Sequence, residues 1–217
     1  MKALGEFFGA QELSGVDIDK EAVKACKEKG IRALALDVAK EELPYKQSSF
    51  DLVMSLGMLD YLPYWDDIIF EIRRVLKNDG YVLISLPNLA SWHNRIALLL
   101  GYQPRDVEVS YRYVVGVFPF YKRRKDKPVG HIHTITSKGF EELMECYGFR
   151  RIYLGKANTI TSNASVFVKA VNKVVSICTS ANSAKRFIYI GQKKPYNPEQ
   201  EDGVSWWTNV LERNSEK

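Results

Sequence analysis

Cysteine is scarce in this chain: Cys26, Cys146 and Cys178 are the full set among 217 residues. An odd number without CxxC spacing points to neither a disulfide framework nor a cysteine-built zinc site, and leaves all three as packing residues. Long apolar runs are also missing. No stretch reaches the roughly 20 consecutive apolar residues of a bilayer-crossing helix, and Met1-Lys2-Ala3 leads into no signal-peptide core and cleavage site. The expectation is a cytoplasmic protein with no membrane span. Charge of one sign hardly accumulates. The net charge is +5, and its densest source, Lys122-Arg123-Arg124-Lys125-Asp126-Lys127, reads as a solvated loop, so no nucleic-acid partner is expected. What is present is ordinary for a globular domain: 46% hydrophobic and 26% charged residues, over a length that suits one domain with a full core.

The chain alternates strand-like and helix-like patterns. Residues 1–9 resemble the last turns of a helix stopped by Gly9. Leu13, Val16 and Ile18 then suit a strand that finishes in Asp17 and runs into a charged helix over Lys20–Lys29, with Ala22, Val23 and Cys26 on one face and Gly30 as its stop. Ile31–Val38 is a second short strand, and Phe50–Leu56 is a third, apolar enough to be covered on both faces. Trp65, Ile68, Ile69, Ile72, Val75 and Leu76 recur at helical spacing. Asn78-Asp79-Gly80 predicts a turn, and Tyr81–Leu86 a fourth strand closed by Pro87. This rhythm implies an α/β, Rossmann-like fold with a mostly parallel sheet and helices on both faces.

From Asn88 to Thr136 the rhythm breaks. A helix over Leu89–Leu100 leads into an aromatic, basic loop with Tyr111, Tyr113, Phe118, Phe120 and Tyr121, and long insertions of this kind carry function. The core pattern resumes with a helix capped by Thr136 or Ser137, a strand near 151–155, a helix over Ala164–Cys178 and a last strand over Arg186–Ile190. The domain is thus expected to span 1–193 with an insertion at 88–136, followed by a polar tail over 194–217.

Three stretches, GVDIDKEAV, ALDVAKEELPYKQSSFDLVMSLGMLDYL and EIRRVLKNDGYVLISLPN, together resemble the class I S-adenosylmethionine-dependent methyltransferases, from about Leu13 to Pro87. The later GHIHT segment resembles one branch of them. The resemblance implies S-adenosylmethionine as cofactor and an antiparallel last strand. It assigns Asp17 to the ribose hydroxyls, Ile18 to packing on the adenine, Asp37 to its amino group with the Val38 backbone alongside, and Ser55, Leu56 and Gly57 to the methionine end. The alternatives are that Asp17 or Asp19 caps the following helix and that Asp37 caps a loop. Family members often carry Glu-His where this chain has Asp60-Tyr61. The family's glycine-rich loop after its first strand has no match here: Gly5, Gly9 and Gly15 lack the spacing. The chain is therefore expected to be N-terminally incomplete, with strand edges left open and weak cofactor binding.

Methyl transfer needs a base only where the acceptor must lose a proton. His131 and His133, two apart on an extended stretch, are candidates with Tyr61; His93 and Arg95 lie in the same insertion. Such spacing also suits a metal, but no third ligand is evident and none is expected. The expected partner is a small-molecule, sugar or lipid acceptor. The competing class is a non-catalytic binding module that keeps the fold without the cofactor; a nicotinamide enzyme is weaker, because its fingerprint also needs a glycine-rich loop.

Overall fold

The computed structural model describes residues 2–118, 127–157 and 180–195. A short helix α1 (Lys2–Phe7) precedes β1 (Ser14–Asp17), which pairs in parallel with β2 (Arg32–Ala35) through the crossover helix α2 (Lys20–Glu28). Asp19 caps α2 by accepting a hydrogen bond from the Glu21 amide, Val23 is its buried residue, and Gly30 leaves it at φ 77°. The exposed charged residues around Val23 make α2 a cover for this small sheet rather than a core helix.

The second sheet has the order β3 (Phe50–Leu56), β4 (Leu76–Pro87), β6 (Arg186–Lys193), β5 (Phe149–Ala157). β3 and β4 are parallel, while β6 runs antiparallel to both β4 and β5, as the resemblance implied. Val82, Ile84 and Leu86 on β4 and Phe187 and Tyr189 on β6 alternate onto one buried face. Two helices supply its cover: α3 (Asp66–Val75), with Ile68, Ile69, Ile72 and Val75 buried, and α5 (Ser137–Cys146), with Phe140 and Met144 buried. The Phe140 ring meets Trp65, Phe187 and Tyr189 at centroid distances of 6.0, 5.5 and 5.4 Å. Each such side chain taken out of water contributes about 1.5–3 kcal/mol before entropy is counted. Thr136 caps α5 through its bond from the Gly139 amide, and Asp66 and Asp67 open α3 while Arg73 and Arg74 close it, which matches the helix dipole at both ends.

Two expectations are corrected in detail. Asn78-Asp79-Gly80 does not form a separate turn ahead of the fourth strand. It is absorbed into β4 as an irregularity where the register moves from Phe50↔Leu76 to Leu52↔Tyr81 and Asp79 takes φ 62°. The insertion helix α4 spans Trp92–Leu99 and starts later than Leu89, because the Asn88 side chain accepts from the Ala90 amide and donates to the carbonyls of Ala181 and Ala184. That local turn replaces the first helical turn. The expected helix over 164–178, the residues 119–126 and the tail from 196 lie outside the described residues.

Among the described residues no ladder joins β1 to β3. The two sheets nevertheless share a core: Val16, Leu36 and Val38 pack against the cluster that contains Ile69 and Ile84. Tyr45 rests edge-on against Phe50 at 4.8 Å, and Arg74 of α3 donates to the Leu43 and Tyr45 carbonyls at 2.8 and 2.7 Å.

Candidate functional site

Asp17 is the last residue of β1 and Gly57 the first after β3, so both stand at carboxyl ends of parallel strands, the side on which open α/β sheets bind ligands. Asp17 is exposed; its Oδ1 accepts from the Asp19 amide at 2.9 Å, while Asp19, not Asp17, caps α2. Ile18 beside it is 69% exposed, an apolar side chain at a strand end with nothing over it among the described residues. Asp37 follows β2 by two residues. Its Oδ1 accepts from the Ala39 amide at 3.1 Å and its Oδ2 pairs with Lys40 at 3.0 Å. The Lys40 contact first and the Ala39 amide second hold its carboxyl below the ordinary value. This carboxylate is thus engaged in closing its own turn. Val38 is half-buried against the core.

Ser55 is buried with an Oγ that has no hydrogen-bond partner, Leu56 is 53% exposed, and Gly57 holds φ 71° while its amide donates to the Ser85 carbonyl at 2.9 Å. An exposed carboxylate and isoleucine at one strand end, with an orphaned hydroxyl and a left-handed glycine at another, fit the two ends of a nucleoside-bearing ligand. Asp37, already paired, fits less well.

The turn after β3 is built differently. Asp60, in the single helical turn Leu59–Tyr61, is 1% exposed. His131 approaches it from the far end of the insertion, with Nε2 3.1 Å from Asp60 Oδ2. The Asp60 carbonyl also accepts from the Ile132 and His133 amides, at 2.7 and 3.3 Å. Glu108 clasps the same loop: its carboxylate accepts from the amides of Val129, Gly130 and His131 at 2.7, 2.6 and 3.0 Å. Three successive amides can converge in this way because Gly130 sits at φ 98°. Tyr61 packs edge-on against the His131 ring at 5.2 Å. Burial first, then the Asp60 charge, raises its phenol pKa against the opposing pull of Arg186, with Glu108 adding to the rise. Tyr61 therefore stays protonated at neutral pH, which leaves its hydroxyl able to donate.

A carboxylate offers only acceptors, so Asp60 fixes the proton of neutral His131 on Nε2 and leaves the lone pair on Nδ1. That Nδ1 is buried and without a partner. His133 does not join it; its Nε2 meets the Pro63 carbonyl at 2.6 Å. His93 faces Asp106 at 3.7 Å in a buried polar group with Asn94 and Ser91, and Arg95 donates to the Ala90 and Asn182 carbonyls. Both of these fasten the insertion. Burial acts to raise the Asp106 carboxyl, yet the His93 contact and Asn94 bring it below its ordinary value. Sequence reasoning missed Asp60 as the partner of His131. The available signal was an acid set in the apolar run SLGMLDYL. Nothing local marked Glu108. A cavity of about 460 Å³ lies at the opposite, amino ends of β1, β2 and β3, lined by Ser14, Arg32, Tyr45 and Phe50 among others, away from all these residues.

Residues 1–84 match the family model described as a methyltransferase domain. Over that stretch the chain is similar to methyltransferase domains. It is 36% identical over 73 residues to an uncharacterized protein of Methanocaldococcus jannaschii, a match covering 33% of this chain and 34% of that one. It is 31% identical over 81 residues to a protein of Mycobacterium tuberculosis named as a probable S-adenosylmethionine-dependent methyltransferase, covering 36% and 29%. The matched stretch thus spans about a third of the length of these curated relatives. Its fold is that of solved methyltransferases. A crystal structure of an S-adenosylmethionine-dependent methyltransferase from Methanosarcina mazei superposes with a TM-score of 0.59 at 18% identity, over 89% of this chain and 87% of the other.

Proposed function

We propose that the protein transfers a methyl group from S-adenosylmethionine to a hydroxyl of a small-molecule, sugar or lipid acceptor, with His131 as the general base. The observation that carries this reading is the pairing of His131 Nε2 with buried Asp60, which leaves Nδ1 as an unused lone pair on the acceptor side. Asp17 and Ile18 would hold the nucleoside of the cofactor, and Ser55, Leu56 and Gly57 its methionine end. When bound, the cofactor supplies a methyl on a sulfonium, already activated for in-line displacement, so the protein's part is orientation and proton handling. His131 Nδ1 takes the hydroxyl proton, Asp60 balances the charge that forms on the imidazole, and the Tyr61 hydroxyl donates to the acceptor. Glu108 holds the loop that presents His131.

A second reading, a methyltransferase-like module that binds a partner without the cofactor, draws support from the engaged Asp37 carboxylate and from the absence of a ladder between β1 and β3 among the described residues. Calorimetry with S-adenosylhomocysteine separates the two. Binding, together with methyl transfer to one of a panel of sugars, phenols and lipid alcohols that is lost in His131→Ala, supports the enzyme; no binding supports the module.

A further inference from the structure

Most arginines described here are engaged by their neighbours: Arg73 bonds the Gly148 and Lys194 carbonyls, Arg74 holds Glu71 and two carbonyls, Arg95 holds two carbonyls, and Arg151 pairs with Glu141. Arg186 differs. It opens β6, and because β6 runs antiparallel to β4 its register partner is Pro87, the last residue of β4. A residue that begins an antiparallel strand stands at the carboxyl ends of its parallel neighbours, so Arg186 shares that side with Leu56 and Gly57.

Its side chain crosses the end of β4 to reach them. A Cβ placed on Gly57 would lie 2.8 Å from Arg186 Nη2, so the guanidinium rests directly on the glycine. Nη2 makes one long bond of 3.4 Å to the Ser85 carbonyl, which already accepts from the Gly57 amide at 2.9 Å. No carboxylate of the described residues pairs with it. A half-buried guanidinium has five donors in a planar fork, and here almost all of them are unused. Removing such a cation from water is costly unless an anion meets the fork, and the geometry suits a bidentate carboxylate or phosphate. The charge also reaches the acceptor side, where it opposes the rise of the Tyr61 pKa.

We propose that Arg186 is the anchor for an anionic group, a carboxylate or phosphate, seated beside Gly57. This rests on the methyltransferase reading above. Two molecules can bring that group: the cofactor, through the carboxylate of its methionine end, or an anionic acceptor. The close approach that Gly57 allows under the fork and the free donors serve either one.

The test uses the full chain as wild type, Arg186→Gln and Arg186→Lys, titrated with S-adenosylhomocysteine, with 5′-methylthioadenosine, which lacks the amino-acid end, and with inorganic phosphate. If the cofactor supplies the anion, Arg186→Gln weakens S-adenosylhomocysteine on the order of 10- to 100-fold and leaves 5′-methylthioadenosine unchanged, with the lysine variant between. If the acceptor supplies it, both nucleosides bind all variants equally, and phosphate binding to the wild type, read from broadening of the phosphate ³¹P resonance, disappears in the glutamine variant. Unchanged binding of S-adenosylhomocysteine together with no phosphate response overturns the proposal. So does equal loss of both nucleosides with a lowered Tm in both variants, which would make Arg186 a structural residue. Should neither nucleoside bind the wild type, the methyltransferase reading fails alone, and the phosphate arm still decides Arg186.

Discussion

The two strand ends of this domain solve the same problem in opposite ways. At the β1–β2 side the polar groups are exposed or half-buried and are satisfied by residues two or three positions along the chain: Asp17 by the Asp19 amide, Asp37 by Ala39 and Lys40. At the β3–β4 side Asp60 is buried and meets His131, and Glu108 reaches the amides of residues 129–131. The first arrangement leaves the Asp17 carboxylate where a ligand can reach it at little cost in stability. The second spends burial and three long-range amide bonds on holding one imidazole in one tautomer.

The largest expected effect that separates the sides is on turnover. His131→Ala should lower the rate by about 10²- to 10⁴-fold, the usual contribution of a positioned base, with S-adenosylhomocysteine affinity unchanged. Equal loss of both would show that the loop serves the fold. The same asymmetry should appear in stability: Phe140→Ala, at the centre of the four-stranded side, should cost about 3–5 kcal/mol in chemical denaturation, whereas half-buried Val16→Ala on β1 should cost roughly 1 kcal/mol. Similar values would mean that the two sheets behave as one rigid unit. On the open side, Asp17→Ala should weaken S-adenosylhomocysteine binding by about 1–3 kcal/mol without changing the fold, as read by calorimetry beside circular dichroism.

Much of this was legible because it is local. The apolar periods of α3 and α5, the cap residues Asp19 and Thr136, and the strands ending near Asp17 and Leu56 each follow from neighbours in sequence, and they place the strand ends that carry the candidate cofactor contacts. The Asp60–His131 pair was not legible as a pair: it joins a turn after β3 to the end of the insertion, and only the packing of the 129–133 loop on that turn brings them together. The late start of α4 was hidden for the same reason, since Asn88 is held by the carbonyls of Ala181 and Ala184.

The smaller predictions sharpen the contrast. Arg74 first, and the Leu43 amide beyond the opposing effect of burial, hold the Glu71 carboxyl below 4.5. A depressed carboxyl contributes stability that is present above the unfolded pKa and is lost as pH falls through the folded one. Glu71→Gln should therefore remove of order 1 kcal/mol at pH 7 and flatten the loss of stability below about pH 4.5, measured by urea unfolding across pH. Smallest of all, Asp37→Asn should leave S-adenosylhomocysteine affinity within about 0.5 kcal/mol of wild type, because that carboxylate closes its own turn.

The most direct measurement is the ring ¹⁵N spectrum of His131 at neutral pH in the wild type and in Asp60→Asn. The wild type should show a protonated Nε2 and a bare Nδ1, and the asparagine variant should lose that preference, since an amide can donate as well as accept. A proton on Nδ1 in the wild type, or identical spectra from the two proteins, would contradict a base held ready by Asp60.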